Sequence, residues 1–378
     1  MIYLDNASTT KPSEAAKQAA IESCELFGNP SSLHRLGLES EKRIRQSRER
    51  IAFLLDVDQK DLFFTSGGTE ANNMAVLGGA RANARAGNHV VTTQIEHPSV
   101  LEAFAALEEA GFEVTYIPPA ANGSVTQKAL EDALRPDTVL VSMMYVNNET
   151  GAVQPVELVK PLLREKAPKA LFHVDAVQGF CKLDCHPRQW GADFVSISGH
   201  KVHALKGIGA LYMAGRRLKR IHFGGGQQEG IRPGTENVSG ILSFGAAAAK
   251  LDPAAQAAQM TACRQRLWSR LQEQLEGVQM NGDSENNAGS ILNVSFPGIK
   301  AEILLHALEA RGIYVSTGSA CSTHKPQPSH VLKAMGRGPA QIAGAVRFSF
   351  DGETTIEMID EAAGIIINEV KMLQRVMR

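Results

Sequence analysis

From residue 61 onward, short apolar runs alternate with longer stretches of helical period. "DLFFTS" is followed by "TEANNMAVLGGARA", and "HVVTTQIE" by "PSVLEAFAALEEAG". The rhythm continues through "EVTYIP", "TQKALEDAL", "TVLVSMMYV", "VELVKPLLREKA", "LFHVDAVQ", "ADFVSIS" and "GALYM". These apolar runs are rich in β-branched residues, too short for helices and bounded by turn residues, so they predict strands. Strands taking turns with helices argue for an α/β fold: a mostly parallel sheet covered by helices on both faces.

Past "FGGGQQEGIRPGTEN" the pattern changes to one long Ala- and Gln-rich helical stretch, about 237 to 277, without a strand signal. It reads as a connector. Beyond it come a strand ("SILNVSF"), a helix ("KAEILLHALEARG"), the segment "STGSACSTHKPQPSH", another strand ("AVRFSF") and a terminal helix from about 354. That set predicts a smaller α+β lobe. No internal repeat or low-complexity tract interrupts it.

At 378 residues the chain is long enough for one large unit with a satellite lobe. Thirty-nine basic against forty acidic residues give a net charge of −1, so no overall field recruits nucleic acid or an anionic membrane. The first residues, "MIYLDNASTT", lack a basic region followed by an apolar stretch, and no run of about 18 apolar residues occurs. A cytoplasmic protein with no membrane or direct nucleic-acid partner is expected. Five cysteines, Cys24, Cys181, Cys185, Cys263 and Cys321, without disulfide-like density suit a reducing compartment. "CKLDCHP" has no second ligand pair nearby, so Cys181 and Cys185 are expected in the core and no metal site is predicted.

In an open parallel sheet, ligands collect beyond the carboxyl ends of the strands. The polar residues after each apolar run therefore carry the candidate chemistry. "SGGTEANN" offers glycines, Gly68 among them, for close backbone approach, a helix start for an anion, and the Thr69 hydroxyl. His97 in "EHPSV" and Asn147, Asn148 and Glu149 in "NNETG" sit at similar junctions, where each taken singly is as well explained by capping or a turn. Asp175 ends an apolar strand. "ADFVSISGHKVHALKG" runs a strand into Ser196, Ser198, His200 and Lys201, delivering an amine and hydroxyls where the sheet ends. A lysine there usually snorkels to solvent; one that forms an imine must be partly desolvated and held near other cations. A lysine for a Schiff base, a carboxylate for a pyridinium nitrogen and a hydroxyl-rich phosphate cup together match pyridoxal 5'-phosphate. The phosphate-loop signatures of dinucleotide and ATP sites are missing.

From "IYLDNASTT" through "GNPSSLHRLG", "FTSGGTEANN", "EHPSV", "NNETG", "HVDAVQ", "SGHK", "RPGTENV" and "STGSACS" to "VRFSF", the chain closely resembles the NifS/IscS cysteine desulfurases. These are group I of the fold-type I pyridoxal phosphate enzymes, in the class V aminotransferase family. The resemblance implies a mostly parallel seven-stranded sheet in a large domain, 15–255, and a small α+β domain formed by 1–14 and 256–378. It implies that Lys201 holds the cofactor, Asp175 pairs with the ring nitrogen, His97 stacks on the ring and shuttles protons, and Gln178 bonds the phenolic oxygen. Gly68, Thr69, Ser198 and His200 hold the phosphate, with Thr235 supplied by the second subunit of a homodimer. Asn148 and Arg347 grip the carboxylate of L-cysteine.

Cys321 is the implied sulfur acceptor: its thiolate takes the substrate sulfur as a persulfide, leaving L-alanine. The sulfur then passes to an acceptor protein, an iron–sulfur scaffold or a tRNA-thiolating enzyme. The small residues of "STGSACS" suit a mobile carrier, so residues 318–330 are expected to be poorly ordered. Two departures from the family stand out. Ala204-Leu205 replaces a common Gly-Pro after the lysine, and "THKPQ" (Thr323 onward) follows the cysteine where small residues are usual. The alternatives are a selenocysteine lyase or another class V aminotransferase, which would keep Lys201 and Asp175. A non-enzymatic interaction protein would have lost some cofactor residues, and none is lost.

Overall fold

The computed structural model describes residues 1–216, 218–317 and 328–376. All seven apolar runs from "DLFFTS" to "GALYM" form one sheet. Its spatial order is Leu62–Thr65, Gly209–Met213, Phe194–Ser198, Leu171–Asp175, Thr138–Met144, His89–Thr93, Glu113–Ile117. Neighbours are parallel except at Gly209–Met213, which runs antiparallel to both strands beside it. The link Gly199–Ile208 is too short for the crossover that a parallel return needs.

Alternation along the strands sends Phe172, Val174, Val195 and Ile197 to one apolar core, and Leu171, Phe194, Leu211 and Met213 to another on the opposite face. Burying a side chain such as Phe172 or Phe194 is worth roughly 2–3 kcal/mol. Helices on both faces follow from two faces needing cover. One face is closed partly by the helix Arg35–Leu54, whose buried Ser40, Ile44, Ser47 and Ile51 recur at helical spacing. Small residues bring it against the helix Val238–Ala248: a Cβ at Gly245 would lie 2.5 Å from the Ser47 side chain.

The expected single helical stretch from 237 to 277 is two helices, Val238–Ala248 and Pro253–Gln274. Pro253 cannot continue a helical ladder, and Asp252 caps the new helix by accepting from Ala255 N–H. The break divides the work. Ile241, Phe244 and Ala247 join the core of the large sheet, whereas Met260, Cys263, Leu267 and Leu271 join a separate core with Leu292, Val294, Val346, Phe348 and Ile366.

That second core backs an antiparallel sheet ordered Ser316–Thr317, Ala345–Ser349, Ile291–Ser295, Gln279–Met280. The helix Ala301–Ala310 packs on it, and the helix Ile356–Val376 packs against Ala301–Ala310 and Pro253–Gln274. Ile2–Tyr3 pairs in parallel with Ile313–Tyr314 in a separate two-stranded sheet, and Ile2 and Leu4 join the second core. Residues 5–10 then pass across to the carboxyl edge of the large sheet, where Thr10 N–H donates to His200 O at 2.9 Å.

Candidate active site

At that edge lies a cavity of about 290 Å³, in the range of small-molecule sites. Ten of the sequence-derived candidates line it: Gly68, Thr69, His97, Asn148, Asp175, Gln178, Ser198, His200, Lys201 and Arg347. Thr235 does not; it is exposed in the segment that leads into the helix Val238–Ala248. Cys321, with most of the segment expected to be poorly ordered, lies outside the described residues.

Asp175 ends its strand with 5% exposure. Its Oδ2 accepts from Asn72 Nδ2 at 2.7 Å and its Oδ1 from Val177 N–H at 3.0 Å. Both of these donors are neutral. The other Asn72 Nδ2 proton goes to Ser99 Oγ at 2.9 Å. Ser99 in turn holds His97: its N–H donates to Nδ1 at 3.1 Å, and its Oγ lies 2.8 Å from the same nitrogen. An Nδ1 that accepts a backbone N–H leaves the proton of the neutral ring on Nε2. Burial, aided by the cation of Lys201, pushes the His97 pKa down against the pull of Asp175, which favours that neutral ring.

Lys201 follows the strand Phe194–Ser198 through a tight turn. Its Nζ donates to the carbonyls of Ala7 and Ser8, each at 2.7 Å. Gln178 donates from Nε2 to the same Ala7 carbonyl at 2.9 Å. The N-terminal segment therefore supplies backbone acceptors that shape the site, and carbonyls leave no side-chain signature in a sequence.

The Ser198 hydroxyl is buried without a hydrogen-bond partner among the described residues. His200 touches Thr9 Oγ1 at 3.2 Å through Nδ1, and burial next to Lys201, Lys206 and Lys182 brings its pKa down to about 4. Gly68 opens the helical run that includes Asn72. A Cβ at Gly68 would stand 2.7 Å from Val177 Cγ2, so this wall tolerates no side chain.

Arg347, on one of the two inner strands of the smaller sheet, reaches across with only 4% exposure. Its Nη2 bonds Asp5 Oδ1 at 3.0 Å and Ser8 Oγ at 2.6 Å, and Nη1 bonds Asn148 O at 2.8 Å. Sequence reasoning missed Asn72, Ser99, Ala7 and Ser8. Asn72 was within reach, because it lies one turn after Gly68 and Thr69 and so shares their helix face. Cys181 and Cys185 are buried as expected, and no cluster of metal-ligating side chains occurs among the described residues. No helix among them is long and apolar enough to cross a membrane.

The model of the class-V aminotransferase family matches residues 2–361, and the chain belongs to that family. Within it the chain belongs with the cysteine desulfurases. It is 40% identical to cysteine desulfurase IscS of Shewanella baltica over 99% of this chain and 93% of that protein. Among solved structures it is similar to a NifS-like protein, with a TM-score of 0.91, 34% identity, and coverage of 98% of this chain and 99% of the other. It is also similar to SspA in complex with cysteine, with a TM-score of 0.81 and 33% identity over 93% of this chain and 99% of that one.

Proposed function

We propose that the protein is a pyridoxal-phosphate-dependent cysteine desulfurase that converts L-cysteine to L-alanine and retains the sulfur on Cys321. The observation that carries this reading is one cavity lined at once by Lys201, Asp175, His97 and an unpartnered buried serine hydroxyl. The residues fit the cofactor on their own chemistry. Asp175 offers a buried carboxylate to a protonated ring nitrogen, and Ser198 Oγ, Thr69 and neutral His200 offer donors to a phosphate beside the bare wall at Gly68. When bound, the group would supply an electron sink for the carbon skeleton of the substrate.

The chain's own residues do the rest. Arg347, preset by Asp5, Ser8 and the Asn148 carbonyl, has the fork geometry to orient the substrate carboxylate. Lys201, gathered by two carbonyls, is the amine for covalent attachment. His97 holds a proton at Nε2 for exchange with the substrate. The Cys321 thiolate attacks the substrate sulfur; an S–S bond forms as the C–S bond breaks, and its electron pair leaves with the carbon skeleton. Proton return completes alanine, so cysteine plus one thiol gives alanine plus one persulfide.

Three further parts belong to this reading. The division into 15–255 and 1–14 with 256–378 is supported by the separate apolar cores. A homodimer in which Thr235 serves the neighbouring cavity is supported by the absence of Thr235 from its own and by exposed Phe27, Leu33 and Phe223. Transfer of the sulfur to an acceptor protein follows from the chemistry of a persulfide. Incubation with L-cysteine tests the function: stoichiometric alanine with one added sulfur on the Cys321 peptide supports it, and amino-group exchange with keto acids without sulfur release refutes it.

A further inference from the structure

We propose that Lys182 is a positioning residue that, from behind the cavity wall, fixes the amide of Gln178 so that Nε2 rather than Oε1 is presented to the phenolic oxygen of the cofactor. The inference rests on the function proposed above. Lys182 is 5% exposed and does not line the cavity, whereas Gln178 does. Lys182 Nζ donates to Gln178 Oε1 at 3.0 Å, and Gln178 Nε2 donates to Ala7 O at 2.9 Å. An amine can only donate here and a carbonyl can only accept, so the two partners leave one orientation of the amide. The second Nε2 proton has no acceptor among the described residues.

A lysine at this place needs a reason. Burial, with the cations of Lys201 and Arg347 nearby, takes its pKa down to about 7 against the pull of Asp351 and Cys181. A methionine would fill the space without that cost. What lysine adds is a donor, and the amine donates to Oε1 whether charged or neutral. The row Lys182, Gln178, Ala7 carbonyl, Lys201 ties this donor to the amine of the site. A donor at the phenolic oxygen stabilises its deprotonated form, while a turned amide would present Oε1 and repel it.

The test is the pH midpoint of the visible absorbance of protein loaded with pyridoxal phosphate, compared for native protein, Lys182→Met, Gln178→Met and the double variant. Lys182→Met should move the midpoint upward by about half a pH unit or more, because the oxygen holds its proton more tightly. In the Gln178→Met background the same change should add less than about a third of that shift. An unmoved midpoint, or an equal shift in both backgrounds, overturns the proposal, the second by showing a charge effect that bypasses Gln178. Should Lys182→Met not fold, density at about 1 Å for the native loaded protein decides the amide's orientation, and Oε1 toward the cofactor overturns the proposal. Native protein that takes up no pyridoxal phosphate overturns the proposed function together with this inference; a loaded native protein with an unmoved variant overturns this inference alone.

Discussion

Asn72 Nδ2 stands 2.7 Å from Asp175 Oδ2 and 2.9 Å from Ser99 Oγ, so one amide joins the carboxylate of the site to the serine that fixes His97. Asn72→Leu removes both bonds and leaves a buried carboxylate oxygen without its donor, a loss of about 1–3 kcal/mol. Weaker retention of pyridoxal phosphate, by about tenfold or more, is the expected outcome of equilibrium titration of the apo-protein. Unchanged affinity would show that Asp175 keeps its orientation without Asn72.

Much of this site was legible because its side chains directly follow apolar strands: Asp175 after "LFHV", Ser198 and Lys201 after "DFVSI", His97 after "VVTTQI". Strand ends converge on one edge, and the sequence order of motifs carried that. The carbonyls of Ala7 and Ser8 were invisible, since every residue has one and only the path of the chain across the sheet edge selects these two. Lys182 lay inside "CKLDC", where the two cysteines drew the reading to packing or metal. The antiparallel strand Gly209–Met213 has the same apolar pattern as a parallel one, and only the short link before it signals the reversal. The helix Arg35–Leu54 escaped because only Ile44 and Ile51 in its buried stripe are large apolar residues, the rest being Gly37, Ser40, Ser47 and Ala52.

Arg347 offers a second test. Its guanidinium is spread over Asp5, Ser8 and Asn148, an arrangement that a lysine cannot reproduce. Arg347→Lys should raise KM for L-cysteine by about 10- to 100-fold, the loss of one charge-assisted hydrogen bond, with a smaller change in kcat. Steady-state kinetics that show equal falls in kcat and kcat/KM would place Arg347 in the chemical step instead.

Glu96 gives the fold a pH dependence of its own. It is buried, accepts from Thr93 Oγ1 at 2.7 Å and Met144 N–H at 2.9 Å, and burial raises its pKa from 4.5 to about 8. The native state therefore keeps a proton that the unfolded chain releases. Its contribution is fully present below pH 4.5 and is lost as pH rises to about 8. Glu96→Gln cannot ionise, so denaturant melts should show the variant gaining on the native protein by roughly 1 kcal/mol per pH unit between about pH 5 and pH 8. A difference that stays flat with pH would mean the carboxylate remains ionised in the folded protein.

Binding of the cofactor and the fate of sulfur should depend on different side chains. Lys201→Ala should abolish the borohydride-stable link between protein and pyridoxal phosphate, whereas Cys321→Ser should keep that link and the colour of the loaded protein. Sulfur transfer should nonetheless fall by more than about 100-fold in Cys321→Ser, because a hydroxyl is a far poorer nucleophile toward sulfur than a thiolate. The other cysteines make the assignment checkable. Cys181 and Cys185 are buried, and burial pushes both thiols up; the Cys263 thiol is pushed up to about 11 by the same cause. None of these three presents a thiolate at neutral pH. Cys24 alone among the described cysteines is exposed, so Cys24→Ser is the informative control and should leave turnover unchanged. Peptide mass spectrometry after incubation with L-cysteine decides between them. One added sulfur on the Cys321 peptide, lost in Cys321→Ser and kept in Cys24→Ser, is the expected pattern; a persulfide that survives Cys321→Ser on Cys24 would overturn the role given to Cys321.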